Sequence, residues 1–132
     1  MADAPKTNAT RLLESRGVAH RVRVYDAEGA FHSADEAAAL LGVPGASVLK
    51  TLVVLRDTPG RAKPLLVLVP SDRELDLKRL ARAVGEKRLR MASRREAEQL
   101  TGLKVGGITA LAVRSGAFEV LVDASARPWE RV

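Results

Sequence analysis

Residues 48–55 read VLKTLVVL, an apolar run broken only at Lys50 and Thr51. Eight residues suit a strand and fall short of a buried helix, and the β-branched content favours a pleated surface. The run therefore predicts a buried strand over 48–55. The following DTPGRAK, residues 57–63, contains Pro59-Gly60 and turns the chain. The next apolar run, LLVLV at 65–69, is then the second strand of a hairpin.

Working outward, helical spacing and caps surround this hairpin. Upstream, Thr7 or Asn8 can cap a first helix carrying Ala9, Leu12 and Leu13, with Gly17 as its stop. Residues 18–25 alternate and predict a strand. Ser33 and Glu36 have capping-box spacing for a helix carrying Ala37, Leu40 and Leu41, which Gly42 ends. Downstream, Leu77, Leu80, Ala81 and Val84 recur at helical spacing before Gly85. A short strand at 89–91 follows, then a second capping box, Ser93 and Glu96, for a helix ending near Gly102. Residues 108–113 and 118–122 predict two more strands, the last delivering Asp123. Hairpins and helices interleave without strict alternation, with no repeat or linker. The fold expected is a single compact α/β domain over 1–132, a mixed sheet with helices packed against it.

Composition narrows the function. The 132 residues are 46% hydrophobic and only 3% aromatic, so the core is aliphatic. The absence of Cys removes disulfides, thiolate catalysis and thiolate metal sites. No apolar stretch is long enough to span a bilayer, and the N-terminal residues lack a signal-peptide pattern. A cytoplasmic location is expected. Lys plus Arg number 22 against 16 Asp plus Glu, a net charge of +6 that favours polyanionic partners. Eight of the basic residues, Lys78, Arg79, Arg82, Lys87, Arg88, Arg90, Arg94 and Arg95, fall in one region where Glu86 is the single acidic residue. They are expected to form one positive face, with Arg79, Arg82 and Arg88 as RNA contacts; a plain solvated face is the bland alternative. With so few aromatics, such binding would rest on phosphates and shape rather than base stacking.

Lys50 is the most informative candidate. An ammonium set among residues built for burial is costly without a role; the competing reading is a lysine on an exposed edge strand, its stem snorkelling to water. Gly106-Gly107 allow close backbone approach to a ligand, or simply form a turn. Asp123 and Tyr25 close predicted strands, where site residues often project. His20 and His32 have no metal-ligand spacing, and Thr51, Thr109 and Ser115 have no activating partner in sequence.

Taken together, VLKTLVVL around Lys50, LDLKRLARAVGEKRLRMAS at 75–93, TGLKVGGIT at 101–109 and VLVDASA at 120–126 resemble the YbaK/ProX family. These are free-standing relatives of the editing insertion in bacterial prolyl-tRNA synthetases. The resemblance covers nearly the whole chain. It implies a mixed, partly barrel-like sheet and hydrolysis of the ester of a mischarged aminoacyl-tRNA, with Cys on tRNA-Pro first and Ala second. It implies Lys50 as the central catalytic residue, a pocket lined by Tyr25, Thr51, Gly106, Gly107 and Asp123, and no metal or organic cofactor. Prolyl-tRNA synthetase is an implied partner. Two departures stand out: Ala110 occupies a position where relatives commonly carry proline, and the sequence stops at Val132 where relatives usually continue, as either a shortened member or one with a different tail would.

The chemistry expected is placement and charge stabilisation. Lys50 grips carbonyl or ribose oxygens, Asp123 supplies its counter-charge, and backbone N–H groups near Gly106-Gly107 assist. The attacking group comes from the substrate, a ribose hydroxyl or a cysteinyl thiol. The same residues fit a tRNA-binding or synthetase-associated module that does not hydrolyse. A small-molecule carboxylate binder using Lys50 would leave the basic cluster unexplained.

Overall fold

The computed structural model describes residues 6–25, 33–57, 62–113 and 116–132. Among these residues four α-helices and four strands follow one another as α1 (Asn8–Ser15), α2 (Ala34–Leu41), β1 (Leu49–Arg56), β2 (Leu65–Pro70), α3 (Leu77–Val84), β3 (Leu89–Met91), α4 (Arg94–Thr101) and β4 (Glu119–Val122). Side-chain caps fix the helix starts. Thr7 and Thr10 cap α1 reciprocally, as Ser93 and Glu96 do α4, while Ser33 accepts from the Glu36 N–H at α2. At α3 the cap is Asp76, which accepts from the N–H groups of Lys78 and Arg79. Left-handed glycines at 42, 85 and 102 then stop α2, α3 and α4.

The strands form one mixed sheet in the order β3-β1-β2-β4. β1 pairs antiparallel with β2 and β3, and β2 pairs parallel with β4. Among the described residues the sheet is open, with β3 and β4 at its edges. Strand alternation sends side chains to two faces. On one, Val53 and Leu66 pack with Ala97 of α4 and Phe118. On the other, Val54, Leu65, Val67 and Val69 pack with Leu77, Leu80 and Val84 of α3. Each helix thus covers its own side.

Two predicted strands are corrected. Residues 18–25 run extended but join no ladder, and Val18, Val22 and Val24 remain exposed. Alternation supplied the pattern, but a strand also needs a neighbouring backbone to bond. Residues 108–113 form turns, with the Ala112 N–H donating to Thr109 O. Their apolar side chains Ile108, Ala110 and Val113 are satisfied instead by packing on the α4 face.

Candidate active site

Lys50 stands one residue into β1, opposite Val69 of β2. Directly opposed residues share a face, and Val69 belongs to the α3-side core, as does Leu52 two residues on. Lys50 therefore lies on the α3 side of the sheet. It is half-buried. β1 is an inner strand in the sheet order, but β3 covers only Val54 to Arg56 of it, so at Lys50 the described ladder partner is β2 alone. No carboxylate among the described residues lies within ion-pair distance of Lys50.

Asp123 follows β4 directly, and its N–H donates to Leu68 O at 2.9 Å. Leu121, two residues earlier, packs on the α3-side core, so alternation carries Asp123 to the side that Lys50 occupies, with β2 between them. The two form no ion pair, which corrects the expected Lys50–Asp123 counter-charge. Asp123 instead accepts from the Ser125 hydroxyl and from the Ser125 N–H at 3.1 Å. These bonds, followed by the nearby charges of Arg73 and Arg79, hold its carboxyl below the ordinary range.

The other nominated residues are not gathered around Lys50. Thr51 is opposite Leu68 and neighbours Val53, so alternation turns it to the α4 face. The period-2 pattern that defined β1 already separates consecutive residues in this way. Gly106, at φ 98°, and Gly107 are exposed in a turn closed by the Gly107 N–H on Lys104 O at 2.8 Å. That turn leads into Ile108 and Ala110 on the α4 face. A β-carbon at Gly107 would meet only Lys104 O, at 3.6 Å, so no close backbone contact requires a glycine there. Tyr25 is half-buried at the end of the extended segment. His20 Nδ1 is engaged with Val18 O at 2.8 Å, Thr109 Oγ1 accepts from the Leu111 N–H, and His32 and Ser115 lie outside the described residues.

A groove of about 940 Å3 is lined by α1, residues 101–103 and 110–113, Gly116, Phe118 and Val120. It contains none of the nominated residues. Arg79 and Arg82 are exposed on α3, and Arg88 is exposed just before β3. The eight-residue basic cluster does not form one face: Arg94 and Arg95 belong to α4, on the far side of the sheet. Among the described residues, no group of His, Cys, Asp or Glu is arranged to hold a metal ion, and no helix is long and apolar enough to cross a membrane.

Fold and site define a small α/β domain with a cation near the start of an inner strand and an arginine-fringed carboxylate two strands away. The chain belongs to the aminoacyl-tRNA editing domain family, whose profile matches residues 28–132. It is 32% identical over 109 residues to EbsC of Enterococcus faecalis, a candidate Cys-tRNA(Pro)/Cys-tRNA(Cys) deacylase, covering 83% of this chain and 65% of EbsC. A proline–tRNA ligase of Nitratidesulfovibrio vulgaris matches at 36% identity over 75 residues, 57% of this chain and 12% of the ligase. The chain thus spans slightly under two thirds of EbsC and a small part of the ligase. A crystal structure of a candidate trans-editing enzyme for prolyl tRNA synthetase superposes with a TM-score of 0.73 at 27% identity, covering 96% of this chain and 78% of that one.

Proposed function

We propose that this protein hydrolyses the ester of mischarged aminoacyl-tRNA in the cytoplasm, with Cys-tRNA-Pro its first substrate and Ala-tRNA-Pro its second. One observation carries the reading: Lys50 is half-buried in an inner strand with no carboxylate among the described residues within 4 Å. Its half-exposed ammonium keeps contact with water and is free to meet a negative charge that a ligand brings to the sheet. The ester's developing oxyanion is such a charge, and the family's substrate class provides the ester.

In this mechanism Lys50 stabilises the tetrahedral oxyanion as a water molecule oriented by the substrate's own ribose hydroxyl, or the substrate's cysteinyl thiol, attacks the carbonyl and gives up its proton. The ester C–O bond then breaks and the departing ribose oxygen takes up a proton. A preorganised donor of this kind is worth about 10²–10³ in rate. Tyr25 and Asp123 bound the substrate's position, while Thr51 and Gly106-Gly107, on the α4 face, contribute only if the substrate reaches around the start of β1. Arg79, Arg82 and Arg88 contact RNA phosphates, and prolyl-tRNA synthetase is the implied supplier of substrate. No metal or cofactor takes part.

The second reading, a tRNA-binding module without hydrolysis, draws support from Gly106-Gly107 leading onto the face opposite Lys50. Incubation with Cys-tRNA-Pro and Ala-tRNA-Pro separates the two. The enzyme releases free amino acid or its cyclised product, and Lys50→Ala, folded normally, loses that release. Retention of the ester with tRNA bound supports the module. Equal turnover by Lys50→Ala removes Lys50 from the mechanism.

A further inference from the structure

The sheet divides the basic residues into two surfaces. Arg79 and Arg82, three residues apart on α3, are neighbours on that helix and are exposed. They lie on the side of the sheet that carries Lys50 and Asp123. Arg73, outside the sequence cluster, joins them. It closes the turn after β2, donating its N–H to Pro70 O at 3.1 Å, while the Ser71 N–H donates to Val48 O at 2.7 Å. The Ser71 hydroxyl also donates to Gly45 O at 2.7 Å. These bonds pin the turn that carries Arg73 beside the start of β1, where Lys50 stands. Arg73 and Arg79 both act electrostatically on Asp123. None of Arg73, Arg79 and Arg82 has an ion pair among the described residues.

On the reverse side, Arg94, Arg95 and Lys104 line a separate groove with Glu98. Arg94 lies 3.8 Å from Glu98, and Arg90 is engaged with Glu96 at 2.9 Å. Part of this surface's charge is therefore already neutralised, and it is remote from Lys50.

We propose that the RNA backbone next to the aminoacylated end crosses the α3 surface, its phosphates held by Arg73, Arg79 and Arg82, and that Arg94, Arg95 and Lys104 stay outside the complex. This rests on the aminoacyl-tRNA reading above and adds Arg73 and a single docking side to it. Exposed Asp72 and Glu74 flank Arg73, so its contact is a local one to a phosphate passing close by. Each such contact adds about one unit to the dependence of log affinity on log salt concentration.

The test uses the full chain and measures binding of uncharged tRNA-Pro across salt, alongside deacylation of Cys-tRNA-Pro. Arg73→Glu/Arg79→Glu/Arg82→Glu is expected to weaken binding at least about tenfold and to flatten the salt slope by about 2 to 3 units. The triple lysine variant at these positions should recover most of the affinity, and melting temperature should hardly move in either. Arg94→Glu/Arg95→Glu/Lys104→Glu should stay within about twofold of wild type with its slope intact. Equal loss in both reversal variants, or an unchanged slope in the first, overturns the assignment. Wild-type protein that binds tRNA without deacylating it removes the enzyme reading and leaves the docking side to be decided by the same binding data.

Discussion

Arg56 Nη1 lies 2.8 Å from Glu86 Oε1, with the two side chains only 11% and 13% exposed. Arg56 also binds Glu119 of β4 through Nη2 and donates from Nε to Lys63 O at 2.9 Å. One guanidinium thereby joins the end of β1, the loop after α3 and the start of β4. A pair this buried is costly to break from one side, because the remaining carboxylate loses its guanidinium partner while staying largely shielded from water. Arg56→Met should destabilise the fold by about 2–3 kcal/mol, lowering the melting temperature by roughly 6–12 °C in a domain of this size. Glu119→Gln should cost much less, since Glu119 is 48% exposed. Thermal unfolding of both variants checks the ranking, and equal losses would contradict it.

Gly45 sits where the chain turns toward β1. A β-carbon there would come within 3.1 Å of Asp35 Oδ1 and 3.2 Å of both Asp72 Cβ and Ser71 Oγ. Gly45 does not have a positive φ, so the obstacle is crowding alone. Gly45→Ala should push the Ser71 turn away from β1 and cost about 1–3 kcal/mol. Since that turn lies beside Lys50, deacylation should fall at temperatures where the variant is still folded. A melting temperature equal to wild type would refute the crowding argument.

Asp76 accepts from the N–H groups of Lys78 and Arg79, each at 3.1 Å, and so starts α3. Asp76→Ala should cost about 1 kcal/mol, and Asp76→Ser should recover most of it. Denaturant midpoints of the two variants make the comparison.

What could be read from the sequence was what depends on near neighbours along the chain. The hairpin around Lys50, the Ser33 and Ser93 caps and the glycine stops all rest on residues a few positions apart. The readings that failed needed distant information. Residues 18–25 and 108–113 carry apolar residues at strand-like spacing, but whether a ladder forms depends on a backbone elsewhere. Arg56 reaches Glu86 and Glu119, 30 and 63 positions away, and nothing local marks that meeting. The division of the basic cluster follows from α3 and α4 packing on opposite faces of the sheet, which is equally non-local. Lys50 and Thr51 are the exception, because alternation along β1 was enough to separate them.

Glu96 gives the fold a defined acid sensitivity. Its two oxygens accept from Arg90 Nη1 and Nη2, each at 2.9 Å, and Oε1 also accepts from the Ser93 N–H at 3.0 Å. The hydrogen bond from Arg90, followed by that from Ser93, lowers its pKa from 4.5 to about 2. A carboxylate depressed in the folded state binds protons more readily when unfolded. Its contribution is therefore complete above about pH 4.5 and is lost as pH falls toward 2. Glu96 is solvent-facing, so the effect is modest and screened by salt. Glu96→Gln keeps an oxygen for the Ser93 N–H while losing the charge that Arg90 meets. The variant should melt below wild type at pH 7, and the gap should close between pH 5 and 2 and narrow in 1 M salt. A gap that stayed constant across that acid range would show that the charge of Glu96 is not its source.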